Sequence, residues 1–166
     1  MGEKTDRNLA YAFAAESKAA ARNAAFALKA DQEGFGQIAR LFRAVSEAES
    51  VHARKLLMLM RGKVKSTQEN LEAAFEHEIQ ANVEEYPRLI REAIEEHEGG
   101  AEWAFTQTRN VEERHAALYK KALTDLVAER ETTYYVCQVC GYVVEKEAPE
   151  NCPECGAVRT KFKRID

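Results

Sequence analysis

Two stretches of this chain, LAYAFAAE at residues 9–16 and LEAAFEHE at residues 71–78, carry one pattern 62 positions apart. Leu9 matches Leu71, Ala12 matches Ala74, Phe13 matches Phe75, and each stretch ends in an acid, Glu16 or Glu78. At about 100° per residue on a helix, Leu9, Ala12, Phe13 and Ala20 all lie beside Glu16. The acid therefore stands in the middle of an apolar stripe. Glu78 has the same setting among Leu71, Ala74, Phe75 and Leu89. Burying a bare carboxylate costs several kcal/mol or more, so each of these acids calls for a proton or a cation.

Two further segments make the same demand. Glu49-Ser-Val-His52 and Glu112-Glu-Arg-His115 lie 63 residues apart, with Phe42 matching Phe105 and Ala53 matching Ala116. An i,i+3 spacing puts Glu and His side by side on one helix face. Phe42, Val45, Ala53 and Leu56 surround Glu49, and Phe105, Ala116 and Leu123 surround Glu112. Each half of the chain thus offers one Glu followed by a Glu-x-x-His. This is the general donor set of di-iron and di-manganese carboxylate bundles. Four carboxylates balance two divalent cations, and hard oxygens with two imidazoles suit iron or manganese better than a soft copper site. His77 and His97 have no counterpart in the repeat and are read as non-ligands.

Residues 1–131 contain a single proline and are rich in good helix formers. The first helix is predicted from about Asp6 to Lys29, with Thr5 or Asp6 as its cap. The second is predicted from near Gly34 and Gly36 to Arg61, with Gly62 as its stop. Ser66 and Glu69 form a capping box that opens a third helix reaching Glu98. Pro87 lies inside this third segment, where its missing N–H should kink or bulge the helix. Gly99-Gly100 is read as the turn into a fourth helix ending near Glu129. Short loops between long helices predict an all-α four-helix bundle. After Glu131 the texture changes to β-branched and aromatic residues with Gly and Pro turns, so a boundary is placed at 131/132. The second module spans 132–166.

Net charge is −4, which provides no general attraction to nucleic acid or anionic membrane. Every apolar stretch is interrupted by charges too soon to span a bilayer. MGEKTDRNLAYAF holds no continuous apolar h-region, which argues against export. All four cysteines fall within nineteen residues, which points to metal binding in a reducing compartment, the cytoplasm, rather than to a disulfide framework.

Cys137-Gln-Val-Cys140-Gly and Cys152-Pro-Glu-Cys155-Gly form a tetrathiolate signature. Gly141 and Gly156 let backbone amides approach the sulfurs. About 35 residues hold too little core to fold unaided, so the metal supplies much of the folding free energy. Tetrahedral S₄ geometry suits zinc and iron equally. Beside a redox-active dinuclear site, a single iron can deliver electrons one at a time, and zinc cannot.

Taken together, AFAAES around Glu16, EAESVHARKL around Glu49 and His52, EYP after Glu78, VEERHAALY around Glu112 and His115, and the two Cys-x-x-Cys-Gly knuckles resemble the rubrerythrins. The resemblance implies a ferritin-like bundle followed by a small C-terminal β-rich rubredoxin-like domain. It implies two iron ions on Glu16, Glu49, His52, Glu78, Glu112 and His115, with Glu49 and Glu112 bridging. It also implies one iron on Cys137, Cys140, Cys152 and Cys155.

The activity implied is a peroxidase of oxidative stress defence, reducing hydrogen peroxide to water. Its electrons would come from a rubredoxin or a pyridine-nucleotide-dependent reductase, in a head-to-tail homodimer where one chain's thiolate iron faces the partner's di-iron site. The linker after Glu131 is short enough for that arrangement or for a within-chain one. Two departures stand out. Ala81 occupies the place of a Glu that exchanges with a histidine in the family, so His52 stays bound in both redox states or solvent fills the gap. Asn23 replaces a tyrosine often found seven residues after the first ligand, whereas Tyr86 survives as a hydrogen-bond donor near the site. The alternatives are a ferroxidase or iron-storage protein and a structural zinc-ribbon bundle without redox activity. An attached electron-return module argues against storage.

Overall fold

The computed structural model describes residues 2–125 and 131–165. It contains two compact units, residues 1–65 and 66–166.

The first unit is a helical hairpin of α1 (Glu3–Gln32) and α2 (Gly36–Leu59). α1 begins three residues before the predicted Asp6. Gly2 takes the cap position without a side-chain bond, and Thr5 and Asp6 lie inside the helix. Glu3 and Asp6 fall in the first turn, where the amide end of the helix dipole favours negative charge. The helix also runs past Lys29, to Gln32. It stops there because Gly34 adopts φ +83°, and the Gly34 and Phe35 amides bond back to the Asp31 and Ala30 carbonyls. That is the paired closure of a Schellman motif. The helices pack through small residues, with Ala27, Ala30, Ala39 and Ala53 buried. Ser46 donates to the Ala20 carbonyl at 2.8 Å across the hairpin, and Phe26 meets Phe42 edge-on at 5.5 Å.

The second unit opens on the predicted capping box, in which the Glu69 amide bonds the Ser66 hydroxyl and the Glu69 carboxylate reaches back. The segment drawn as one helix to Glu98 is interrupted. α3 (Thr67–Gln80) leads into a π-helical turn (Ala81–Glu85) and then α4 (Tyr86–Glu95). The wide turn falls directly before Pro87, and the Tyr86 amide bonds back five residues to the Ala81 carbonyl. One extra residue per turn rotates everything beyond it relative to Glu78, and a proline that cannot donate accounts for the defect.

α5 begins at Gly99 and is described to Asp125; its predicted end near Glu129 lies outside the described residues. The turn before it is not made by the two glycines. His97 takes the left-handed position at φ 59°, and the His97 and Glu98 amides close onto the Ile94 and Ala93 carbonyls. Gly99 and Gly100 instead start α5. Asn82 ties the π turn to α5 by donating to the Arg109 carbonyl at 2.8 Å.

The C-terminal module of this unit is a three-stranded antiparallel sheet ordered β2-β1-β3, with β1 Tyr134–Cys137, β2 Val143–Glu145 and β3 Phe162–Ile165. Cys137 is the largest fully buried side chain among the described residues. Beside it only Cys152 and Ala148 of the module are buried among the described residues, so its interior is mostly sulfur.

His97 has a Cβ in a conformation that disfavours one by about 1–2 kcal/mol. His97→Gly should raise stability by about 0.5–1 kcal/mol once glycine's larger unfolded-chain entropy is subtracted. Urea unfolding followed by helical circular dichroism measures the shift.

Candidate metal centres

Among the described residues three groups of donors form, each confined to one unit: Glu16, Glu49 and His52; Glu78, Glu112 and His115; and the four cysteines, with one donor atom per residue all within 4.8 Å of each other. In the first unit the Glu-x-x-His of α2 places His52 Nδ1 3.1 Å from Glu49 Oε2, and Glu16 of α1 comes within 3.5 Å of the same nitrogen. Ser17 and Asn23 do not join this group. Their side chains donate to the Phe13 and Ala19 carbonyls one turn back.

In the second unit, His115 Nδ1 lies 2.9 Å from Glu112 Oε2 and 3.9 Å from Glu78 Oε1. Donors about 2.1 Å from one ion stand roughly 3.0–3.5 Å apart, depending on the bond angle. Both triads span that range, and oxygen with a single imidazole is a hard donor set. Exposure separates them: the His52 side chain is 58% exposed, the Glu78 side chain only 14%.

The electrostatics show how much these groups want a cation. Glu16 and Glu49 approach closely enough to share a proton, which raises Glu16 and lowers Glu49 from the ordinary carboxylate value. Burial is the main cause that pushes Glu78 up to about 7, and contact with Glu112 adds to it. Two phenols feel the same charges. Burial and then the Glu112, Glu85 and Glu78 carboxylates raise Tyr86, while burial and then Glu78 and Glu112 raise Tyr119. Tyr86 therefore stands where the sequence placed it. Tyr119 was missed, although it follows His115 by four residues and Glu112 by seven, a spacing that keeps it on their face. Ala81, fully buried, sits three residues after Glu78 as the first residue of the π turn and offers only a methyl.

The sulfurs fit one tetrahedral ion. Cys137 and Cys155 are 3.7 Å apart, as are Cys140 and Cys152. Four sulfurs about 2.3 Å from one centre stand roughly 3.8 Å apart. Gly141 and Gly156 adopt φ +84° and +71°, and their amides close each knuckle on the Cys137 and Cys152 carbonyls at 2.9 Å. The next amides, of Tyr142 and Ala157, then point at the Cys140 and Cys155 sulfurs. Even so, burial pushes the Cys140 and Cys155 thiols up. Cys137 is held below its ordinary value because the Val139 and Cys140 amides and neighbouring thiols outweigh its burial. Deprotonating all four calls for a cation.

One polar contact joins two of the groups. His115 Nε2 lies 3.2 Å from the Gly141 carbonyl oxygen, beside Cys140. A carbonyl only accepts, so Nε2 carries a proton, and the Nδ1 lone pair then needs a proton or a cation between it and Glu112 Oε2, 2.9 Å away.

A family model described as Rubrerythrin matches residues 7–123, and one described as the rubredoxin-like domain of rubrerythrin matches residues 135–163. The chain belongs to the rubrerythrin family. Among its relatives, a rubrerythrin of Porphyromonas gingivalis is 34% identical over 98% of this chain and 90% of its own. Nigerythrin of Nitratidesulfovibrio vulgaris is 35% identical over 95% of this chain and 85% of its own. A solved structure of nigerythrin in a partially reduced state matches with a TM-score of 0.60 at 32% identity, covering 99% of this chain and 88% of that one. Another is its fully reduced, all-ferrous state, with a TM-score of 0.59 at 32% identity, covering 99% of this chain and 88% of that one. The rubrerythrin fold class, a four-helix ferritin-like bundle with a small β-rich rubredoxin-like domain, holds for this chain.

Glu78 binds its proton more tightly folded than unfolded. With the carboxylate sites stripped of metal and zinc left on the cysteines, stability should therefore fall as pH rises from about 4.5 to 7 and stay low above that. Glu78→Gln should shrink this fall. Denaturant midpoints of both proteins across that window check it.

Proposed function

We propose that this protein is a non-haem di-iron peroxidase that reduces hydrogen peroxide to water with electrons relayed through its tetrathiolate iron. Peroxidase chemistry is the general activity of the family to which the chain belongs. The observation that carries the reading is the His115 contact. One imidazole faces the carboxylates through Nδ1 and, through Nε2–H, bonds the carbonyl next to a cysteine of the other metal group. A structural zinc ribbon has no need of such a bond.

Glu16, Glu49, His52, Glu78, Glu112 and His115 would hold two iron ions, and Cys137, Cys140, Cys152 and Cys155 would hold one. The donor chemistry of both triads, the duplicated register of their residues and the ferrous states of nigerythrin support this assignment. When bound, the paired ions act as Lewis acids on peroxide and supply both electrons at once.

The chain's own groups manage charge and protons. Cleaving hydrogen peroxide to two waters takes two electrons and two protons. Glu78, raised to about 7 in the absence of metal, and the neutral phenols of Tyr86 and Tyr119 are positioned to hold protons beside the Glu112 triad. Ala81 brings no carboxylate to that face, so with iron bound His52 would stay a ligand in both redox states or solvent would fill the gap. Electrons enter from a rubredoxin or a pyridine-nucleotide-dependent reductase, and the working form is a homodimer in the cytoplasm. Among the described residues no helix is long and apolar enough to cross a membrane. The two functional domains are residues 1–131 and 132–166, a boundary supported by family models that end at 123 and resume at 135.

Anaerobically reduced protein should reoxidise faster with hydrogen peroxide than with air-saturated buffer, followed by stopped-flow absorbance. Glu112→Ala should abolish the peroxide phase while the thiolate charge-transfer bands persist. Equal rates with the two oxidants would refute the reading.

A further inference from the structure

α5 carries two functional faces. One presents Glu112, His115 and Tyr119. The other presents Asn110, Val111, Arg114 and Lys121, spaced to form a single stripe along the helix. Each member of this second stripe touches the cysteine module. Asn110 Nδ2 donates to Glu154 Oε1 at 3.1 Å, inside the Cys152–Cys155 knuckle. The Arg109 guanidinium grips the Asn110 side-chain oxygen at 2.9 and 3.3 Å, which fixes which way that amide points. Val111 packs toward the other knuckle, with its Cγ1 3.7 Å from where a Cβ on Gly141 would lie. Arg114 Nε donates to the Val143 carbonyl at 3.1 Å, and its guanidinium carbon lies 5.9 Å from the centre of the Tyr142 ring. Lys121 pairs with Glu145 of β2. Glu145 is only 18% exposed, which makes this ion pair better shielded than an ordinary surface one.

We infer that the cysteine module serves the carboxylate triad of its own chain, and that Asn110, Arg114 and Lys121 are the positioning residues that hold it there. The inference rests on the peroxidase reading and departs from the head-to-tail service, one chain to its partner, that family resemblance implies. Contacts at both knuckles and at β2 set the module's orientation, and that orientation brings the Gly141 carbonyl within 3.2 Å of His115 Nε2. With iron in both groups, the electron reaching the triad would come from the thiolate-held iron of the same chain, one ion being oxidised by one electron as the other is reduced. The external reductant then restores the first, and no bond is made or broken between the sites.

Lys121 and Glu145 are close enough for a carbodiimide to join them as an amide, which gives a test that needs neither iron nor activity. Zinc-loaded chains grown in ordinary and in ¹⁵N medium are mixed, unfolded together, refolded with zinc, cross-linked and digested. Linked Lys121–Glu145 peptides that are wholly light or wholly heavy support own-chain docking. Light–heavy hybrids at the statistical proportion overturn it.

A second arm reads electron flow in iron-loaded mixed dimers. One chain carries Glu112→Ala with His115→Ala, and its partner carries Cys137→Ser with Cys140→Ser. The thiolate band should reoxidise with peroxide no faster than in the first variant alone. Reoxidation at the wild-type rate would show that a module serves the opposite chain. Should wild-type protein ignore peroxide altogether, the peroxidase reading falls while the cross-link masses still judge the docking.

Discussion

Carboxylates set on otherwise apolar helix faces are the constraint on which this molecule is built. Contact between Glu16 and Glu49 raises the one and lowers the other from the ordinary carboxylate value, and burial with the Glu112 contact pushes Glu78 up to about 7. A helix face that is otherwise Leu, Ala and Phe does not retain such groups for packing, because an alkyl side chain of the same size packs there without a desolvation penalty. Their charge and spacing suit them instead to hold a metal ion. The tetrathiolate repeats the logic with sulfur, where burial and mutual crowding push Cys140 and Cys155 up and a cation reverses the preference.

The framework around these donors is correspondingly economical. Alanine dominates the buried positions of the helices, which lets α1 and α2 approach closely and leaves larger side chains beside the donors. The π turn at Ala81–Glu85 resets the helical phase between Glu78 and Tyr86, so that both face the charge of Glu112 although eight residues separate them. α5 is the busiest element: it carries the Glu112 and His115 donors on one side and the side chains that grip the cysteine module on the other, with His115 in contact with both Glu112 and the Gly141 carbonyl.

Much of this was legible in the residues. Duplicated register picked out six carboxylate and imidazole candidates, which the structure gathers into two triads, and knuckle spacing picked out four thiols, which it gathers into one group, because metal chemistry restricts residue type and interval together. The Ser66 capping box and the disturbance near Pro87 were readable for a similar reason, since each is a local hydrogen-bonding fact. Helix ends were read less well. Gly99-Gly100 looks like a stop, yet His97 makes the left-handed turn, because closure onto Ala93 and Ile94 compensates for the poor residue choice. The α1 start at Glu3 shows that favourable dipole charges can extend a helix past an attractive cap.

Asn110, Arg114 and Lys121 gave no signal, since a polar residue that grips another module looks like one that faces water. What the chain alone determined is the inventory: which side chains can bind metal, and on which helical face each lies, because periodicity and donor chemistry are local properties. What only the tertiary structure decided is the pairing: which donors share an ion's reach, which nitrogen of His115 is free, and which backbone carbonyl it meets. Those depend on atoms 26 residues apart meeting within 3.2 Å, a fact of packing that no interval in the sequence encodes.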